Sequence, residues 1–185
     1  MRSRFFCIFV LVFMLCSCTM KQQSSVVPQP WNDRLADMMP YLGHRNWIVI
    51  ADMAYPLQSG NGVVTLWADE PYEKVLKTVK DLVDDAPHVF AHIYRDRELS
   101  FIPETDAPGI TDLRHSMDVI CGDEAITMPH EELISRLDAA GELFTVVIVK
   151  TRSLIPYTTT FFELDCGYWD AARADRLADA ISKEQ

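Results

Sequence analysis

The sequence predicts an α/β fold built on a mostly parallel sheet with helices packed over it. Two runs decide this. Trp47 to Ala51 is apolar at every position, and Leu143 to Val149 is apolar apart from Thr145. Both are too short for buried helices, and a strand apolar on both faces belongs in the interior of a parallel sheet. A third observation is order. Segments with a strand pattern alternate along the chain with segments of helical period, which is the pattern of α/β domains.

The elements follow in turn. Trp31 to Leu42 reads as a short amphipathic helix, capped by Asn32 or Asp33 and ended by Gly43. The apolar strand Trp47 to Ala51 comes next. Gln58 to Gly62 is a turn cluster, and Val63 to Trp67 is a second β-rich run. Pro71 to Val83 is helical, with Pro71 in its first turn and Val75, Leu76, Val79, Leu82 and Val83 on one stripe. His88 to Arg95 alternates as a strand does, with Val89, Ala91 and Ile93 on one face. Glu98 to Ile102 is expected to pair with it as a hairpin, and Glu104 to Gly109 is a loop. Ile110 to Cys121 is a helix capped by Thr111 or Asp112. Ala125 to Met128 is a short strand, and Pro129 to Ala140 is a helix ended by Gly141. After the strand Leu143 to Val149, Thr158 to Leu164 forms another. Asp170 to Lys183 closes the chain as an amphipathic helix whose Ala172, Leu177, Ala180 and Ile181 are expected to pack.

The amino terminus carries an address. Arg2 and Arg4 precede an apolar run from Phe5 to Leu15 that is shorter than a membrane span. Leu15-Cys16-Ser17-Cys18 then fits a bacterial lipoprotein signal over residues 1–17, with Cys18 as the lipidated terminus after cleavage. An ordinary signal peptide cleaved nearby, or an uncleaved anchor, is the alternative. Residues 18–30 are polar and contain proline, as a tether does. Residues 31–185 are then one domain, with enough chain for a single α/β core. The expected location is outside the cytoplasm, on a bacterial membrane and facing the periplasm.

Charge and cysteine usage exclude several classes. Removing Arg2 and Arg4 takes the formal charge from −10 to −12, because no acidic residue leaves with them. Such a surface repels nucleic acid and anionic headgroups. There is no Walker loop, no GxGxxG, no zinc-type cysteine pairing and no internal repeat. Of the cysteines, Cys121 and Cys166 stay in the domain, either bridged in an oxidising compartment or as two buried thiols. His88 and His92 sit about 13 Å apart in an extended strand and cannot chelate one metal.

Three segments place chemistry at the ends of elements. Gly43-His44 enters the first apolar strand and Asp52 leaves it, followed by Pro56. In open α/β sheets, ligands collect at the carboxyl ends of strands. Met128-Pro129-His130-Glu131 opens a helix, and Pro156-Tyr157-Thr158-Thr159 opens the last strand. Each has an ordinary use: His44 as a helix cap, Asp52 as a turn former, His130 as an N-cap neighbour and Tyr157 as an amphipathic strand residue. In their order and spacing the three segments resemble the D-ribose pyranase/L-fucose mutarotase family (RbsD/FucU). The resemblance runs from about Leu35 to Gly167 and is loose over residues 98–123.

That resemblance implies a three-layer α/β/α domain with a mostly parallel mixed sheet. It implies a site that opens a sugar ring, with His44 as catalytic acid and Asp52, His130 and Tyr157 on the sugar. Thr159 stands where the family usually has Asn, so a single hydroxyl replaces a carboxamide. Arg45-Asn46 replaces the family's usual small residue and Asp. The implied activity is exchange of a monosaccharide between ring or anomeric forms, with no metal or organic cofactor. A base takes the anomeric proton while an acid protonates the ring oxygen, and His does either near neutrality. His44 and Asp52 would lie about 26 Å apart if the chain between them is extended, too far to share one sugar. The family's ring-like homo-oligomers, with sites between subunits, resolve this. A sugar-binding envelope lipoprotein without catalysis is the alternative function.

Overall fold

The computed structural model describes residues 29–122 and 125–183. The expected signal, the lipidation residue Cys18 and the tether up to residue 28 lie outside the described residues. No helix among the described residues is long and apolar enough to cross a membrane.

Among the described residues, six strands form one mixed sheet: β1 (Trp47–Ala51), β2 (Val63–Trp67), β3 (Val89–Asp96), β4 (Ile126–Met128), β5 (Val146–Lys150) and β6 (Thr160–Cys166). Their spatial order is β2-β5-β1-β6-β3-β4. β5 is parallel to both β1 and β2, and β3 is parallel to β4. β6 lies antiparallel between β1 and β3. Five strands therefore end at one edge of the sheet, and β6 begins there.

The helices make the outer layers. α1 (Trp31–Met38), α2 (Tyr72–Asp84) and α3 (Ile110–Cys121) cover one face, where they bury Ile48, Ile50, Val147, Val149 and Phe162. α4 (His130–Leu143) covers part of the other face through Leu133 and Leu137, over Trp47, Val49, Ile148 and Phe161. β1 and β5 are buried on both sides, which is why their sequence is apolar without alternation.

Several elements depart from expectation for identifiable reasons. The first helix gives way after Met38 to a 3₁₀ turn over Met39–Tyr41. Pro40 lacks the N–H of a continuing α-helix, and its ring crowds the preceding turn. Neither Asn32 nor Asp33 caps α1, since the helix starts at Trp31 and Pro30 holds the cap position. The expected hairpin at Glu98 to Ile102 is a 3₁₀ turn, Arg97–Phe101. The Arg114 guanidinium fastens it by donating to the carbonyls of Leu99, Ser100 and Ile102. α3 is capped by neither Thr111 nor Asp112. The Glu104 carboxylate accepts the N–H groups of Gly109 and Thr111 instead.

Gly141 does not end α4, which continues to Leu143, so β5 starts at Val146. The glycine that matters there is Gly62. A Cβ on it would sit 2.5 Å from the carbonyl oxygens of both Gly141 and Phe144. The final helix, α5 (Ala171–Ser182), buries none of its residues, and Leu177 and Ile181 are 49% and 53% exposed. The packing expected of Ala172, Leu177, Ala180 and Ile181 is therefore absent. No disulfide joins Cys121, buried in α3, to Cys166 at the end of β6.

Candidate functional site

The edge where five strands end gathers the side chains that matter. Asp52 follows the last residue of β1. Its Oδ1 accepts the N–H groups of Ala54 at 2.7 Å and Tyr55 at 3.1 Å, so Asp52 shapes the turn that brings Tyr55 back toward the sheet. The loop between β5 and β6 is tied to this turn. The Thr151 hydroxyl donates to the carbonyl of Ala51, and the Met53 N–H donates to that of Ser153. Beyond it Tyr157 adopts a left-handed backbone, φ 57°. Because β6 is antiparallel, it starts at this edge and brings Thr159 with it. β4 ends here as well, and Pro129 leads into α4, whose first residue is His130.

These segments enclose a cavity of about 510 Å³, lined by Asp52, Tyr55, Gln58, His130, Tyr157 and Thr159 among others. The volume lies in the usual range for small-molecule sites. Among the described residues, no Lys or Arg lines it. The His130 ring stands edge-on to Tyr157, with centroids 5.3 Å apart. Behind it lies a buried acid, Asp96, the last residue of β3 and 1% exposed, with Oδ1 3.1 Å from His130 Nδ1. The His130 backbone N–H is directed at the Glu98 carboxylate, 3.1 Å away. A carboxylate there also suits the positive end of the α4 dipole.

Burial pushes the Asp96 carboxyl up to about 6, against the pull of His130, and the charges of Glu98 and Asp52 push the same way. Burial also pushes the Tyr55 hydroxyl up to about 12, with Asp138, Asp96 and Asp52 adding to it. Tyr55 is thus a neutral hydroxyl at physiological pH, available to a ligand as a hydrogen-bonding group.

Of the residues singled out in the sequence, Asp52, His130, Tyr157 and Thr159 share this cavity. His44 does not. It precedes β1 and sits at the opposite edge, where its Nδ1 meets Asp165 Oδ1 at 2.5 Å. His92 Nε2 approaches the other oxygen of Asp165 at 3.4 Å. Burial disfavours charge on Asp165. The Cys166 N–H and the two imidazoles outweigh it and hold the carboxyl below the usual range. The helix-capping role that His44 could have had falls to His88, whose Nε2 contacts the carbonyls of Met39 and Leu42.

Substitutions at two positions probe structure and binding here. Asp52→Asn keeps an oxygen for the Ala54 and Tyr55 N–H groups but loses the charge. Thermal unfolding should change little, while the affinity of a ligand held in the cavity, read by calorimetric titration, should weaken by about 10- to 100-fold, the worth of a charged hydrogen bond. Tyr157→Gly and Tyr157→Ala both delete the ring, but only Gly accepts a left-handed backbone freely. The Gly variant should be the more stable of the two by about 1 kcal/mol in urea unfolding.

No protein-family model matches the chain, and no curated protein matches its sequence. Solved structures do match it. RbsD of Bacillus subtilis, in complex with D-ribose, superposes with a TM-score of 0.50 at 16% identity, over 71% of this chain and 91% of its own. The chain has the RbsD fold. FucU from Bifidobacterium longum gives a TM-score of 0.50 at 16% identity, over 71% of this chain and 92% of its own. The fucose mutarotase of Streptococcus pneumoniae, in complex with L-fucose, gives 0.49 at 18% identity, over 76% and 97%. At these identities the likeness is one of fold. On this RbsD-like frame the sequence had offered four residues of the cavity. Missing from that set were Tyr55, Gln58 and the acid behind His130. A usable signal existed for Asp96, a carboxylate just past the expected strand His88 to Arg95, the same kind of position that drew attention to Asp52.

Proposed function

We propose that the chain binds a monosaccharide in this cavity and speeds its exchange between ring or anomeric forms. The observation that carries the proposal is convergence. Asp52, His130, Tyr157 and Thr159 come from three distant segments to one cavity at the strand-end edge of an RbsD-like fold. RbsD was solved with D-ribose, which supports a sugar as the ligand class. The lining suits an uncharged polyol: a carboxylate, an imidazole and hydroxyls for its hydroxyl groups, an aromatic ring for its face, and no cation for a phosphate.

The chemistry needs one proton taken and one given. A base removes the proton of the anomeric hydroxyl, the bond from that carbon to the ring oxygen breaks, and an acid protonates the departing oxygen. Closure through the other face, or through another hydroxyl, returns both protons and yields the other anomer or ring size. No metal or organic cofactor enters this scheme. His44 lies at the wrong edge to serve the cavity of its own subunit, so in this proposal it reaches the cavity of a neighbouring copy as the acid. The working form is then a homo-oligomer. The proposed setting is extracytoplasmic, with the chain held to the membrane by lipid on Cys18.

Saturation-transfer NMR on the full chain with ribose, fucose and galactose tests the activity, beside His44→Ala and light scattering. Faster exchange that the substitution abolishes, in an oligomer, supports the proposal. Full activity in a monomer removes the shared-site part of it. One observation favours a second function, a sugar-binding lipoprotein without catalysis. Thr159 is 2% exposed and carries a short hydroxyl at a position where the family offers a carboxamide. Binding without any rate enhancement would select that function.

A further inference from the structure

Asp96 is buried with His130 as its close polar neighbour. It is a carboxylate on an interior strand end, and neither of its oxygens finds a hydrogen bond among the described residues. His130 Nδ1 is likewise buried without a bonded partner, and the two groups face each other at 3.1 Å. The placement is built into the backbone. Asp96 pairs in register with Met128, two residues before His130, across the parallel strands β3 and β4. A buried carboxylate without a formed hydrogen bond is costly, so a fold that keeps one usually uses it. At 3.1 Å the contact has ion-pair distance but not yet hydrogen-bond alignment, and such contacts tighten when substrate fills the site.

We infer that Asp96 is a positioning residue, which holds the Nδ1–H of His130 so that the unprotonated Nε2 is turned to the cavity as the proton acceptor. His130 then does more than hold the sugar. Its Nε2 takes the anomeric proton, and Asp96 stabilises the imidazolium formed, as carboxylate–imidazole pairs do in other enzymes. The proton passes back from Nε2 when the ring recloses, so the pair ends each cycle as it began. The inference rests on the sugar-exchange proposal for its rate arm alone.

The surroundings fix a pH dependence. The groups that act on Asp96 are His130 from α4, Glu98 from the 3₁₀ turn and Asp52 beyond β1, while Tyr55 and, from α2, Tyr72 feel its charge in turn. With its carboxyl pushed up to about 6, Asp96 takes up a proton as pH falls through that value and can no longer accept from Nδ1. The exchange rate should therefore drop below about pH 6. The same shift makes the folded state the better proton binder between about pH 4 and 6. Stability from this group is therefore greatest at low pH and lost as pH rises through about 6.

The test uses the full chain, with nitrogen-15 NMR of the imidazoles beside exchange rates. Wild-type His130 should carry its proton on Nδ1. In Asp96→Asn the new amide donates to Nδ1 and should drive the proton to Nε2. Sugar affinity should hold, and the rate should fall between about 10- and 10⁴-fold. A wild-type ring protonated on Nε2 overturns the inference before any variant is made. So does an Asp96→Asn protein whose tautomer changes while its rate does not. If the wild type accelerates no sugar in the panel, the exchange proposal fails. The pairing is then judged on the ring alone: an Nδ1–H form that Asp96→Asn abolishes supports it, and an unaltered form overturns it.

Discussion

Glutamine in place of His130 should slow sugar exchange by about 10²- to 10⁴-fold, the usual contribution of a placed acid or base. Gln approximates the length of the imidazole and retains hydrogen-bonding atoms, but it cannot carry a proton between substrate atoms near neutral pH. It suits the first turn of α4, because Gln is a good helix former and the N–H directed at Glu98 belongs to the backbone. The comparison to make is rate against affinity. Loss of rate with binding retained means that the imidazole acts in the transition state. Loss of binding with no rate to lose would place the protein among sugar carriers, where the ring is a contact and no more.

Phe161→Ala should destabilise the domain by about 3–5 kcal/mol, read as a lower urea midpoint at an unchanged slope. Phe161 is fully buried and packs edge-on to Trp47, with ring centroids 6.5 Å apart. It lies on the sheet face where α4 is the covering helix, within the smaller of the two buried clusters. Few neighbours there can move into the space an alanine would leave, because Trp47, Val49 and Ile148 are held in strands. Phe161 also follows Thr159 by two residues, on the strand that carries Thr159 into the cavity. A loosened β6 should therefore weaken sugar binding as well as stability. A midpoint unmoved by the substitution would mean that α4 contributes little to folding.

Much of this architecture was legible before any coordinates. The unbroken apolar runs at β1 and β5 announced strands buried on both faces, and the order of the elements announced α/β. Local pattern failed where a tertiary neighbour decided the outcome. Gly141 looked like a helix stop, yet the close approach in that region is made by Gly62, far away in the chain. α5 has an apolar stripe, and its pattern says that a face could be covered without saying that the domain covers it. Four cavity residues were found because they sit at element ends in a familiar order. Asp96 has the same strand-end position, but its place behind His130 comes from β4 lying beside β3, a pairing that no local period reveals.

The position of β6 bears on the order in which the molecule can be assembled. Among the described strands it comes last in the chain, and yet it lies between β1 and β3, joining β2-β5-β1 to β3-β4. As the chain lengthens from its amino end, the facing edges of β1 and β3 stay open until Cys166 has been added. Open edges of apolar strands are where chains pair wrongly with one another. The joining contacts also span long loops, which slows folding. A chain stopped short of Thr160 would leave the facing edges of β1 and β3 unjoined. One that reaches Cys166 can close the sheet and fix Thr159 at the cavity in the same event.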